Sequence, residues 1–219
     1  MPISKFRLIA LVTLILTLLA GCKDNKRVCC DPPPPPLGLP FPDSPAKLMA
    51  NFQTIYETMD YAGYQDLLAP DYQMILRSST TVDFPELGAT LDYTEEMGIA
   101  DHMFSGADGH DAEGYLMDPI STTIMQDPEQ LTGWDVSPSD DPIPDTDSAL
   151  FNVDMDFFRA GDHSLNVFGQ LKVYISARDS LYQGEVRPYY QIAGIWDLTD
   201  DGGKGTESTC FGYVKALFR

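Results

Sequence analysis

Positive charge is what this 219-residue chain has least of: 14 Lys and Arg stand against 33 Asp and Glu, a formal net charge of −19. Such a surface repels phosphate backbones and anionic lipid headgroups, which excludes a nucleic-acid partner. It suits solubility, weak binding of divalent cations, or a cationic partner. Histidine is scarce as well, with 3 residues. Nothing local orients His102, His110 or His163 as a catalytic base. There is no Cys-x-x-Cys pair and no His cluster, so no metal site is expected. There is no nucleophile motif, no phosphate-binding loop and no internal repeat, and no cofactor is expected. The apolar run Leu8 to Ala20 is too short to cross a hydrocarbon core about 30 Å thick at ~1.5 Å per residue.

That run has a different reading. Lys5 and Arg7 precede it, giving the charged and apolar regions of a secretory signal. It ends in Leu19-Ala20-Gly21-Cys22, which resembles the lipobox of bacterial lipoproteins. The resemblance implies removal of residues 1–21, a diacylglycerol group on the Cys22 thiol and acylation of the freed amine. At ~0.8 kcal/mol per buried methylene, two or three acyl chains hold a protein on a membrane essentially permanently. The expected location is the bacterial cell envelope, with the domain outside the cytoplasm. Residues 22–43 then read as a tether. Pro32 to Pro36 favour an extended polyproline helix of about 3.1 Å per residue, a semi-rigid spacer. A docking site for a proline-binding partner is the competing reading. Exported thiols meet an oxidising compartment, so Cys210 is expected to bridge to Cys29 or to Cys30. The sequence leaves that choice open.

Residues 44–219 form the domain. Ser44-Pro45 opens a helix whose apolar stripe is Leu48, Phe52, Ile55 and Met59. Asp60 caps a shorter helix that closes before Pro70, and Asp71 to Arg77 reads as a strand. Asp92 and Glu95 have capping-box spacing, Tyr93, Met97, Ala100 and Phe104 make the apolar face that follows, and Gly106 ends it. Strands are expected around Thr122 to Gln126, over Phe151 to Phe158, and over Leu165 to Ala177 after a Gly161-Asp162 turn. Arg178 to Arg187 reads as a polar connection. Two strands flanking a Gly/Asp loop then read as a closing hairpin. Tyr190, Ile192, Trp196 and Leu198 share one face of its first strand, and Cys210, Val214, Ala216 and Phe218 one face of its second. Gly169, Gly194 and Gly212 suit bent strands. Asp135, Asp140, Asp141, Asp145 and Asp147 lack the order of a calcium loop and read as a solvated acidic loop, as do Asp197, Asp200 and Asp201. Helices first and long strands after give an α+β domain.

The run FQTIYETMDYAGYQDLLAPDYQMIL resembles the opening of the nuclear transport factor 2-like superfamily, and more narrowly its bacterial lipoprotein branch. LDYTEEMGIADHMFSG and the closing Trp196-Asp197, turn, GYVKALFR fit the same pattern. The resemblance implies N-terminal helices packed in a strongly curved, mostly antiparallel sheet, a cone with a cavity. Tyr190 and Trp196 would line that cavity and Trp134 its mouth. The expected function is non-catalytic binding of a small apolar ligand or an envelope protein. The alternative is an isomerase, dehydratase or cyclase using Asp92 or Asp101 as base and Tyr56 as donor.

Overall fold

The computed structural model describes residues 38–160, 163–200 and 208–219. The leader, Cys22, Cys29, Cys30, the proline run, the Gly161-Asp162 turn and Asp201 lie outside them.

Helix α1 (Pro45–Thr58) starts where the Ser-Pro pair dictates: Ser44 Oγ accepts from the Lys47 N–H, and Pro45 sits where no N–H is needed. Leu48, Phe52 and Ile55 on its stripe are fully buried. Asp60 accepts from Gly63 N–H and starts α2 (Tyr61–Leu67). Strand β1 (Leu68–Ile75) follows at once, earlier than the expected start at Asp71. Pro70 is tolerated inside it because the pairing register shifts between Leu68 and Gln73. A short helix, α3 (Ser78–Asp83), and strand β2 (Thr90–Asp92) lead into α4 (Tyr93–Ser105). The capping box is present: Asp92 and Glu95 each accept the other's backbone N–H at 2.9 Å, and Gly106 closes the helix at φ 73°.

The remaining chain is β3 (Gly109–His110), β4 (Leu116–Met117), β5 (Ile120–Met125), β6 (Glu129–Gln130), β7 (Asp135–Val136), β8 (Asp147–Arg159), β9 (His163–Tyr182), β10 (Glu185–Thr199), β11 (Ser208–Thr209) and α5 (Phe211–Leu217). The main sheet has the order β2-β1-β10-β9-β8-β5, with β6 and β7 also on β8 and β11 on β9. It is open and mostly antiparallel; β1/β10 and β11/β9 are its parallel pairs. The domain is therefore α+β with a large, mostly antiparallel sheet and few helices.

Three expectations are corrected. The closing hairpin does not form: β10 pairs with β9, and Phe211–Leu217 is a helix. All of α5 except Tyr213 is buried, so its apolar run carries no polar face to reveal a helical period. Arg178 to Arg187 is no connection but the distal half of a long hairpin, turned by Gln183 and Gly184 at φ 52° and 84°. Finally, a bulge between Ile192 and Gly194 reverses the facing of β10. Tyr190 and Ile192 lie on the core side, while Trp196 and Leu198 lie on the outer side.

Folded packing begins before Ser44. Residues 39–43 form a strap along β10. Tyr190 N–H donates to Pro42 O at 2.9 Å and Asn51 Nδ2 to Pro40 O at 2.8 Å. Phe41 stacks on Tyr182 at 4.1 Å and meets Tyr189 edge-on at 5.3 Å.

Candidate functional site: a polar cluster inside an aromatic core

The inner face of the sheet and the helices enclose a core of large side chains. Phe52, Tyr56, Tyr64, Tyr72, Phe84, Phe157 and Phe211 are all fully buried. At its centre sits an ion pair. Because Asp92 fixes the start of α4, Glu96 falls one turn in, on the same buried face as Ala100 and Met103. Lys215 reaches it from α5. Both side chains are 0% exposed, with Lys215 Nζ 2.5 Å from Glu96 Oε1. Tyr64 OH donates to the same oxygen at 2.5 Å, and Tyr56 OH lies 3.3 Å from Tyr64 OH. The ammonium also lies over the rings of Tyr64, Tyr56 and Phe211, at 4.7, 5.3 and 5.6 Å.

These environments decide protonation. Burial raises the Tyr64 and Tyr72 hydroxyls well above their usual range, and the Glu96 charge adds to it. Burial and Glu96 likewise raise Tyr56, against the opposing pull of Lys215. For Lys215, burial works against the charge, but Glu96 and the Tyr56 oxygen outweigh it, so its pKa is raised. The tyrosines keep their protons, Tyr64 and Tyr56 as donors, and the lysine stays a cation.

A second buried carboxylate holds α5 in place. Asp197 is 1% exposed, and burial raises its pKa against the hydrogen bonds it accepts. Its Oδ2 accepts from Gly212 N–H at 2.6 Å, and its Oδ1 accepts from Thr199 Oγ1 at 2.5 Å. Thr199 Oγ1 in turn accepts from Phe211 N–H at 2.8 Å. Two of the orphan N–H groups at the start of α5 are thereby satisfied. Gly212 makes the approach possible: a Cβ there would lie 2.8 Å from Leu76 Cδ2 and 3.0 Å from Asp197 Oδ2. The expectation of Asp197 in a solvated turn is thus corrected; Asp200 is exposed. Cys210 is buried, its Sγ 3.1 Å from Thr80 Oγ1, while Cys29 and Cys30 lie outside the described residues.

Trp196 is not in the core. It lies on the outer face with Ile143, Tyr174, Ala69 and Ala193. There the acidic loop after β7 folds back on the sheet instead of standing free in solvent. Asp141 takes Lys172 as an ion-pair partner and accepts from Tyr174 OH. Burial first, and the Asp141 contact second, push the Tyr174 hydroxyl far up. Gly194 leaves the room required: a Cβ there would come 2.1 Å from Ile143 Cδ1 and 2.7 Å from Gln73 O.

The other expected residues fall apart from one another. Trp134 is half-buried, tilted on Phe151 at 5.6 Å. Tyr190 is half-buried beside a cavity of about 10 Å³, shared with Leu39, Asn51 and Tyr189, room for one water. Asp92 and Asp101 are exposed, so of the alternative catalytic set only Tyr56 is interior. His102, His110 and His163 are exposed; His102 Nδ1 sits 3.2 Å from Phe218 O. Asp135, Asp140, Asp145 and Asp147 are exposed, and no metal-ligating group of three forms among the described residues. No helix among the described residues is long and apolar enough to cross a membrane. A groove of about 430 Å³ runs over the surface between Pro45, Met49, Gln53, Asp127 and Phe151.

Sequence reasoning missed Glu96, Lys215, Tyr64 and Asp197. One signal was there to find: a lone lysine inside the apolar run FGYVKALF. A buried cation requires a buried anion. No family model, curated protein or solved structure matches the chain.

Proposed function

We propose that this chain is a bacterial lipoprotein, anchored by acylated Cys22, whose nuclear transport factor 2-like domain binds a partner in the cell envelope without catalysis. The lipobox sequence supports the anchor. Helices that precede long antiparallel strands support the family. The observation that carries the binding reading is the closed aromatic interior: the place where a cone would hold a substrate is filled by Tyr56, Tyr64, Tyr72, Phe157 and Phe211. The ionisable pair at its centre neutralises itself. Function then falls to the surface.

One observation favours the acid–base alternative. Glu96 Oε2 and Tyr72 OH are buried with no hydrogen-bond partner among the described residues. A carboxylate with a free oxygen beside tyrosine donors is the kit of a proton-transfer site. Lys215 argues against it, because its ammonium already holds that carboxylate at 2.5 Å, in an interior with no space for a substrate.

Cell fractionation tests the anchor. Cys22→Ser moves the protein from the membrane to the soluble fraction, and the lipid mass disappears from its N-terminal peptide. A protein that stays on the membrane with an unchanged peptide mass ends this reading. Peptide mapping without reduction tests the proposed Cys210 bridge to Cys29 or Cys30; an unmodified Cys210 peptide excludes it.

A further inference from the structure

β9 and β10 run past the rest of the sheet. β8 ends its pairing with β9 at Asp147 opposite Ile175, yet β9 continues to Tyr182. Among the described residues, β10 is then the one strand paired with Ser176 to Tyr182. The two-residue turn decides which backbone groups that pairing uses. Tyr182 faces Glu185 and Ser180 faces Arg187 as the hydrogen-bonded pairs that such a turn closes. Residues between them point their N–H and C=O the other way. The backbone groups of Ala177, Asp179 and Leu181 therefore face an open edge.

The side chains of these three residues lie on one face with their pair partners Tyr190, Pro188 and Val186. That face continues the core side of the sheet but extends beyond the helices. Leu181 is 58% exposed and Val186 69%. Asp179 is exposed as well. Arg178 points to the opposite face, where its guanidinium lies over the Tyr189 ring at 5.2 Å. Edge strands are usually blunted by lysine, proline or a bulge. On β9 from Ser176 to Tyr182 there is no lysine, no proline and no shift of register.

We propose that this edge accepts an added strand from another protein. The partner segment is extended, with a basic side chain opposite Asp179 and aliphatic side chains opposite Ala177 and Leu181. The inference rests on the binding reading above and supplies the chemistry of its partner. Charge selects the occupant. A chain of net charge −19 repels its own copies, and a two-fold pairing of this strand centred on Asp179 sets that carboxylate against itself. The same charge disfavours an anionic lipid surface. A cationic segment meets neither obstacle, and strand addition supplies backbone hydrogen bonds as affinity and alternate side chains as specificity.

The test uses two synthetic peptides, Thr-Val-Thr-Lys-Thr-Val-Thr and the same sequence with a central Glu, titrated into the isotope-labelled chain. The lysine peptide is expected to shift the amide signals of Ala177, Asp179 and Leu181, and to bind about tenfold more tightly than the glutamate peptide. Asp179→Lys inverts that preference. Asp179→Pro removes one outward N–H without touching a bond to β10, and abolishes binding while circular dichroism stays native. If Asp179→Pro unfolds the chain, the inversion by Asp179→Lys still decides. Signals that move elsewhere, or binding indifferent to both variants, overturn the proposal. So does a dimer that Asp179→Pro dissociates, which makes a second copy the occupant, or vesicle binding lost on Leu181→Ser alone, which makes it a membrane. Peptide signals that move at another surface end this edge alone and leave the binding reading standing, and anchoring is read separately by Cys22→Ser fractionation.

Discussion

Two ion pairs in this domain use the same parts in different surroundings. Glu96, Lys215 and Tyr64 meet in the core, where both charged side chains are 0% exposed. Asp141, Lys172 and Tyr174 meet on the outer face, where lysine keeps 20% of its side-chain surface and aspartate 5%. Each is a carboxylate holding an ammonium and a phenol. Water is the difference. In the core, neither charge has an alternative partner, so each is indispensable to the other. On the outer face, solvent reaches the lysine and can replace the carboxylate when that leaves.

Breaking the core pair from one side has the largest expected effect. Glu96→Gln or Lys215→Met strands one buried charge and costs about 3–5 kcal/mol, read as a fall in the urea midpoint. Glu96→Leu with Lys215→Met removes both charges, and the double variant recovers to within about 1–2 kcal/mol of the native chain. A double variant no more stable than the singles would remove the asymmetry between the two pairs.

Alkaline pH acts on the same cluster. Lys215, Tyr56, Tyr64 and Tyr72 all hold their protons more tightly when folded than when unfolded. The folded chain then binds more protons above the ordinary tyrosine and lysine range. Stability is complete below about pH 10 and lost as pH rises through the folded values. Denaturant midpoints at pH 9 and pH 11 measure the loss, and Tyr64→Phe makes it shallower.

On the outer face the expected effects shrink. Gly194→Ala drives a methyl into Ile143 and the Gln73 carbonyl and costs about 1–3 kcal/mol. Trp196 fluorescence should shift to the red as the loop lifts. Asp141→Asn costs about 1 kcal/mol or less, and added salt narrows its gap from the native chain. A cost for Asp141→Asn equal to that of Glu96→Gln would erase the distinction between the two pairs.

The contrast also explains what the sequence could tell. Caps are local, and they were legible: Ser44, Asp60 and the Asp92–Glu95 box start their helices where expected. Half-buried strands are legible because one face meets water, as in the alternation of β8. α5 was not, since a helix buried all round loses its period. The Ile192–Gly194 bulge was not either: a single inserted residue reverses every later side chain, so Trp196 moved from cavity to outer face. The core pair escaped for a third reason. Glu96 and Lys215 are 119 positions apart, and only the fold brings them together.

The strap over β10 has a mechanical consequence. Tension on the chain before Gly38 meets the strap before it meets the start of α1 at Pro45. It reaches the domain through the Phe41–Tyr182 stack, the Pro42–Tyr190 hydrogen bond and the Asn51–Pro40 hydrogen bond. Of these three contacts the Asn51 hydrogen bond alone reaches α1, and Leu39 packs against the margin of the hydrophobic interior. Residues 39–43 thus behave as a fuse. They can peel away and lengthen the connection by a few residues while the aromatic core stays shut.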